Sequence, residues 1–266
     1  MSRPASLAED GYAVYREAVP VPMCEAVLGA IADELGIRVD DPGSWDRVSG
    51  YVDQVPLWGH QSQWDIRQLP VLHRIWSDIW GTEQLWVDLN SCRFTPPWRP
   101  GRADRLQIHW DVDPWNDQVC WRPGVLALTD AGPAAGGLCC VPSLLHDRHA
   151  WPKQWSQRGP EGYVYQPDVR GREIVEVPMQ AGDLVVMDSK LPHGTVRNQS
   201  DRPRVVFYLQ FFPAGTPEEA AERVADYQAG RCPSFWRWKP GHDRLEPGPP
   251  AQLNKHGRRL LGLEPW

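Results

Sequence analysis

Between Leu85 and Phe212 the chain is a series of short runs rich in β-branched and aromatic residues, separated by Gly, Pro and Asp: Leu85–Phe94, Leu106–Trp110, Val119–Leu128, Leu138–Val141, Glu173–Val177, Leu184–Met187 and Val205–Phe212. Runs of this length and texture predict a chain that is mainly β with flanking helices, built as a double-stranded β-helix, a cupin-like jelly roll. In such a double sheet strand faces alternate between interior and solvent, and one mouth can hold a metal and ligands. The jelly-roll core is expected over about residues 85–213. The 27 prolines, about twice the usual share, and 23 glycines fit many turns and long connections.

Upstream, Val21–Gly36 carries apolar residues at 24, 27, 28, 31 and 35 with Pro22 in the first turn, and Leu69–Trp80 carries them at 72, 75, 76 and 79. Both are helix spacings. These N-terminal helices, within residues 20–80, are expected to brace one side of a sheet. Residues 43–64 between them are rich in turn formers and hold Trp45, Trp58 and Trp64, which reads as a lid. Residues 144–172 form a longer polar insertion expected to shape substrate access. The tail over 230–266 ends in Leu260-Leu261-Gly262-Leu263 and is expected to dock back on the body. All 266 residues fit one catalytic domain.

A net charge of −6 with interspersed signs offers no basic face for a polyanion, so nucleic acid is not the expected partner. There is no basic segment followed by a continuous apolar stretch at the start, and no run of the ~18 apolar residues a bilayer needs. A cytoplasmic protein without membrane association is the expectation. The six cysteines are scattered, which favours reduced thiols over a disulfide framework. A zinc site from Cys139, Cys140, His146 and His149 is disfavoured, since adjacent cysteines in a strand face opposite ways.

The chemistry concentrates in Gln107-Ile108-His109-Trp110-Asp111 and in His193-Gly194 further on. Alternate residues of a strand project to one face, so His109 and Asp111 point together into whatever that strand encloses. With His193 as third ligand, two imidazoles and a carboxylate on one face of an octahedron leave three positions open, the arrangement of non-haem Fe(II) oxygenases. A 2-oxoacid takes two of these by chelation and dioxygen the last. Arg204, at the head of an apolar run, is assigned to the cosubstrate's far carboxylate, which a guanidinium can grip bidentately.

Other readings stand beside these. Asp113 shares the nominal face of Asp111 and is a supporting partner, the ligand itself, or a turn acid before Pro114, with Asp111 favoured. Arg204 alternatively forms a structural salt bridge. Val206, Tyr208 and Gln210 share its face, which brings Tyr208 towards substrate. Gln107 projects beside His109, either onto substrate or cosubstrate or into an internal polar contact. Trp110, Trp115 and the tryptophans of 43–64 line a pocket or simply pack. Arg93, Arg99, Arg102 and Arg105 steer an anionic substrate or form a solvated charged face.

Several stretches together resemble the phytanoyl-CoA dioxygenase family of Fe(II)/2-oxoglutarate oxygenases, over most of the chain. Glu9-Asp10-Gly11-Tyr12-Ala13-Val14-Tyr15 is similar to that family's opening strand, and His109-Trp110-Asp111 to its metal motif. Leu126–Asp130 with Gly136–Pro142 is similar to the strand pair that follows. The most specific block is Ala181-Gly182-Asp183-Leu184-Val185-Val186 with His193-Gly194-Thr195, Asn198, Ser200 and Arg204. The resemblance implies that His109, Asp111 and His193 bind iron, that Arg204 grips 2-oxoglutarate, and that Thr195 lends it a hydroxyl. Two departures stand out. Pro142 is followed by Ser143, Leu144, Leu145 and His146 where the family often has Pro-Gly-Ser-His. Thr95 precedes Pro96-Pro97 where it often has lysine, a loss for which Arg93 compensates.

The expected function is therefore a 2-oxoglutarate-dependent dioxygenase that uses O2 to hydroxylate an unactivated C–H bond of a small-molecule substrate, releasing succinate and CO2. Desaturation, cyclisation or epimerisation would begin at the same bond, and a non-oxidative cupin-like metalloenzyme would keep the metal without the oxoacid. Halogenation is disfavoured, because Asp111 fills the position a halide would need.

Overall fold

The computed structural model describes residues 5–48, 52–100, 108–132, 134–150, 156–158, 165–232, 234, 237 and 250–266. The chain opens with α1 (Leu7–Asp10), β1 (Tyr12–Tyr15) and α2 (Val21–Leu35), then a 3-10 turn at Ser44–Arg47. Next come β2 (Val52–Val55), α3 (Gln61–Arg67), α4 (Pro70–Trp80), β3 (Leu85–Val87), β4 (Cys92–Thr95) and β5 (Gly124–Ala127). β6 (Leu138–Cys140), α5 (Pro142–Asp147), β7 (Ser156–Arg158), β8 (Tyr165–Pro167) and β9 (Val175–Val177) follow. β10 (Leu184–Met187), β11 (His193–Thr195), β12 (Arg204–Leu209), β13 (Phe211–Pro213), α6 (Pro217–Gln228) and α7 (Lys255–Leu261) complete it.

The strands pair antiparallel throughout. A six-stranded sheet runs β1-β10-β5-β12-β4-β2, a three-stranded sheet β11-β6-β9, and β13–β3 and β7–β8 form two-stranded pairs. Strand alternation divides the large sheet into two apolar faces. On one, Phe94, Leu126, Leu184, Val186, Val205, Phe207 and Leu209 join Val27 and Ile31 of α2, Trp64 of α3 and Leu72 and Trp76 of α4 in the main core. On the other, Val125, Ala127, Val185, Met187 and Val206 pack against Leu138, Cys140 and Val177 of the small sheet. The two sheets therefore face each other across a filled gap, and the helices lie behind the larger one.

The helices carry the boundaries their sequence dictates. α2 and α4 have proline in the first turn and end on Gly36 (φ 62°) and Gly81 (φ 67°), left-handed positions that glycine takes at no steric cost. α6 begins with a capping box between Thr216 and Glu219. Close approach explains Gly124 of β5: a Cβ there would lie 2.8 Å from the indole of Trp76 and from the Leu209 carbonyl. That contact lets α4 seat on the sheet, with Trp76 Nε1 donating to the Arg122 carbonyl at 2.9 Å.

Several expected boundaries shift. The 85–94 run splits into β3 and β4, which belong to different sheets, and the 205–212 run splits into β12 and β13. Residues 119–123 stay outside β5, and β9 starts only at Val175. The expected lid at 43–64 is instead core: Trp45, Trp58 and Trp64 are all buried in the main cluster. Three large indoles gain more from burial than a mobile flap could offer them. The tail docks as expected, with Leu260 and Leu261 of α7 fully buried. No helix among the described residues is long and apolar enough to cross a membrane.

Asp183, in the turn entering β10, fastens β1 to the sheet. Its buried carboxylate accepts from the backbone N–H of Glu17 and Gln180, both at 2.9 Å, and from Arg16 Nη1 at 2.6 Å. Burial alone would raise its pKa, but these donors together outweigh it and hold the carboxyl below its ordinary value. Asp183→Asn is expected to cost about 2 kcal/mol of stability at neutral pH, the scale of charge-assisted hydrogen bonds. Because the folded-state pKa is depressed, that difference should be fully present above the unfolded pKa of about 3.9 and vanish as pH falls through the folded value. Denaturant titrations of both proteins from pH 3 to 7 measure it, and a pH-independent gap would refute the assignment.

Candidate metal centre

His193 opens β11, which pairs with β6 in the register His193↔Cys140, Gly194↔Cys139, Thr195↔Leu138. Leu138 and Cys140 face the gap between the sheets, so His193 and Thr195 face it too. On its other side His193 meets His109 in an isolated antiparallel bridge, closed by N–H···O bonds of 2.9 and 3.0 Å in the two directions. The expected strand over 106–110 is reduced to this bridge in its described part, and Asp111 already begins a bend. The alternation nonetheless holds: His109 and Asp111 are partly accessible, whereas Trp110 between them is fully buried.

The ligand-bearing atoms of His109, Asp111 and His193 all lie within 4.8 Å of one another. His109 Nε2 is 3.3 Å from Asp111 Oδ1, and His193 Nε2 is 3.6 Å from Asp111 Oδ2. His193 Nδ1 lies 3.0 Å from the Leu191 carbonyl, to which it donates, so the Nε2 lone pair is left pointing at its two neighbours. Burial, reinforced by His109 and opposed by Asp111, holds the pKa of His193 below its ordinary value. The ring is thus neutral, as a metal ligand must be. Among the described residues no other group of three or more His, Cys, Asp or Glu side chains comes this close.

The rejected zinc set stays apart. Cys140 lies in the inter-sheet cluster and Cys139 in a separate one on the opposite face. Burial pushes their thiols up to about 12 and about 11, so they stay protonated. His146 Nε2 bonds the Glu9 carbonyl at 2.6 Å, and His149 Nε2 lies 3.6 Å from Asp117.

The large sheet presents a cation to the same gap. Arg204 begins β12 directly opposite Thr95, with Val206 opposite Arg93. Val206 belongs to the inter-sheet cluster and Tyr208 packs against it, so Arg204, Arg93, Thr95 and Tyr208 share the inner face. Arg204 is 2% exposed, its Nε has no hydrogen-bond partner, and no carboxylate among the described residues pairs with it. Burial lowers its pKa to about 10, with Tyr208 opposing and Arg93 adding to the shift, so it remains cationic at neutral pH. Among the described residues the structural salt-bridge alternative has no carboxylate partner. Thr95 Oγ1, across the strand pair, is likewise buried and unbonded. Two buried polar groups, one of them charged, thus stand side by side with donor atoms left over, which is what an anion would need. Asn198 fixes the turn leading there: its Nδ2 donates to the Thr95 and Arg202 carbonyls at 3.2 and 2.8 Å.

The remaining expected site residues divide. Asp113 is the turn acid of the three alternatives, its Oδ1 accepting from the Trp115 backbone N–H at 2.9 Å. Trp110 is not a pocket wall. It alternates with the ligands, packs with Ile108, Cys139, Val141 and Leu144, and donates Nε1 to the Lys190 carbonyl at 2.8 Å. Trp115 packs beside it, ring centroids 5.8 Å apart. Arg99 is exposed and paired with Asp46 at 3.1 Å. Gln107, Arg102 and Arg105 lie outside the described residues. Sequence reasoning passed over Thr95, treated only as a missing lysine, although its register opposite Arg204 marks it. It also passed over the Leu191 carbonyl, which carries no side-chain signal at all.

Comparison with known proteins places the chain in a family. The phytanoyl-CoA dioxygenase (PhyH) family model matches residues 7–206. A Dictyostelium discoideum protein named "Putative phytanoyl-CoA dioxygenase" is 22% identical, the match covering 77% of this chain and 73% of that one. Among solved structures, the epimerase SnoN in complex with Fe3+, alpha ketoglutarate and nogalamycin RO aligns with a TM-score of 0.56 at 16% identity, over 93% of both chains. EvdO2 from Micromonospora carbonacea var. aurantiaca, complexed with 2-oxoglutarate, aligns with a TM-score of 0.54 at 19% identity, over 78% of this chain and 88% of its own. At such identities the structural likeness speaks for the fold, and the family match over most of the chain speaks for descent. The chain belongs to the phytanoyl-CoA dioxygenase family of iron- and 2-oxoglutarate-dependent oxygenases.

Proposed function

We propose that His109, Asp111 and His193 hold Fe(II), that Arg204, with Thr95 and Thr195, holds the distal carboxylate of 2-oxoglutarate, and that the reaction is hydroxylation of a small molecule. The observation that carries this reading is the unpaired guanidinium of Arg204, buried on the wall that faces the histidine-bearing sheet. A buried cation without a counter-ion costs several kcal/mol, and a chain retains it where a ligand supplies the anion. The donor set fits the metal: two neutral imidazoles and one carboxylate suit non-haem Fe(II) and leave positions open for an oxoacid and O2.

When bound, iron and its cosubstrate supply the oxidation, with 2-oxoglutarate leaving as succinate and CO2 and a C–H bond of the substrate oxidised. The chain's own part is orientation and exclusion of water. The Leu191 carbonyl holds the His193 tautomer, the His109–His193 bridge fixes the two rings, and Arg204 sets how deep the dicarboxylate sits. The apolar residues between the sheets keep the region dry. Tyr208 and Arg93, on the same inner face, are placed to touch the cosubstrate or the substrate beside it. We read the two facing sheets as halves of a jelly roll over about 85–213, within one catalytic unit spanning the chain. SnoN, alike in fold, is an epimerase, so a C–H bond activated in such a framework has more than one fate.

Two measurements test the assignment. Protein supplied with Fe(II), ascorbate and 2-oxoglutarate is expected to release succinate, and His109→Ala to release none above a protein-free control. Equal release by the variant would remove the iron assignment. Arg204→Met replaces an uncompensated buried charge with an apolar chain of similar length, so the ligand-free variant is expected to melt at or above the wild-type temperature. The same variant should lose the rise in Tm that 2-oxoglutarate gives and raise its KM about a hundredfold, roughly 2.7 kcal/mol. A clear fall in ligand-free Tm with KM unchanged would make Arg204 a structural residue.

A further inference from the structure

Asp111 is the metal ligand least supported by regular structure. It follows the two-residue bridge at His109 and Trp110 and opens an irregular segment that rejoins a sheet only at Gly124. Nothing in a β-ladder fixes its distance from the histidines, so something else must.

That segment is tied at its far side. Trp115 Nε1 donates to the Arg148 carbonyl at 2.9 Å, and Asp117 Oδ1 accepts from Arg148 Nη2 at 3.0 Å and from Lys190 Nζ at 3.2 Å. Lys190 is mostly buried and stands three residues before His193. Its carbonyl accepts the Trp110 indole N–H at 2.8 Å, from the residue between His109 and Asp111. The next carbonyl along, Leu191, orients the His193 ring. Lys190 thus touches both ligand-bearing stretches and the loop that follows Asp111: through its carbonyl the His109–Asp111 stretch, through the chain itself His193, and through its ammonium the loop at Asp117.

We propose that Lys190 and Asp117 form a latch that positions Asp111 against the two histidines, with Lys190 as a positioning residue for the metal centre. The inference rests on the metal reading above and goes beyond it in naming what sets the site's geometry. Partners that hydrogen-bond a metal ligand directly are worth about 10–100-fold in metal affinity, and a latch that acts one step further out, through the loop and Trp110, is placed at the lower end of that range. Arg148 shares Asp117, so the latch has a second arm whose role is to keep the carboxylate anchored rather than to reach the centre.

The test is Co(II) binding to the full chain, measured by calorimetry on wild type, Lys190→Met, Lys190→Arg, Asp117→Asn and the Lys190→Met/Asp117→Asn double variant. Thermal melts of the metal-free proteins run alongside, with His109→Ala as the reference for a broken site. Lys190→Met and Asp117→Asn should each bind about tenfold more weakly, the double variant no more weakly than either single one, and Lys190→Arg close to wild type. Their metal-free melting temperatures should stay near wild type. A purely structural contact would lower those temperatures and leave Co(II) affinity intact, which would overturn the latch. Wild-type affinity in Lys190→Met alongside lost binding in His109→Ala would overturn the latch and leave the metal site standing. Failure of the wild type itself to bind Co(II) would overturn both.

Discussion

A six-stranded sheet buried on both faces is the constraint from which the rest of this molecule follows. One set of alternate residues, among them Leu126, Val186 and Phe207, must be covered, and α2, α3 and α4 cover it. The other set, Val125, Val185 and Val206, is covered by the three-stranded sheet, so the inner face becomes a walled gap rather than a solvent surface. Any polar residue placed on that inner parity is thereby desolvated. Arg204 and Thr95 stand there opposite each other, and His193 and Thr195 look in from the facing sheet.

At the candidate site two polar side chains lie next to each other, each with a buried atom that has no hydrogen-bond partner. Other buried charged groups are held by several partners each: Asp183 takes two backbone N–H groups and a guanidinium, and Arg67 donates through its two Nη atoms to the Trp58 and Asn90 carbonyls and to Gln63. Arg204 and Thr95 are not. A protein of marginal stability tolerates such a deficit where a ligand repairs it, and the repair is then binding energy. The same contrast separates Arg67 from Arg204: Arg67 is braced by the carbonyls around it, whereas Arg204 is the group the proposed function assigns to an anionic ligand.

Much of this was legible in the sequence, and the failures have physical reasons. The 3.6-residue apolar periodicity of Val21–Leu35 and Pro70–Trp80 named both helices nearly to the residue, because proline and glycine mark their ends. Parity brought His109 and Asp111 to one face, and Trp110 buried between two accessible residues is what a period of two requires, whereas His193 came from the facial-triad pattern and the family resemblance. Strand boundaries were less readable. Residues 85–94 and 205–212 look like single runs because apolar composition does not register where a strand leaves one sheet for another. The tryptophans of 43–64 read as a lid because turn formers surround them, yet indole area decided for burial. Main-chain partners such as the Leu191 carbonyl, and long-range pairs such as Lys190 with Asp117, have no local pattern to betray them.

The central claim is that Arg204 and the triad together recognise one dicarboxylate, and the most direct measurement varies the ligand rather than only the protein. Under anaerobic conditions with Fe(II), binding of 2-oxoglutarate and of 2-oxobutyrate, which chelates alike but lacks the distal carboxylate, can be followed by the visible charge-transfer band of the chelate. Wild type should prefer 2-oxoglutarate by about a hundredfold or more, the scale of a buried charge pair, and Arg204→Met should bind both equally weakly. Equal affinity of the wild type for the two acids, or a preference that survives in Arg204→Met, would contradict the claim.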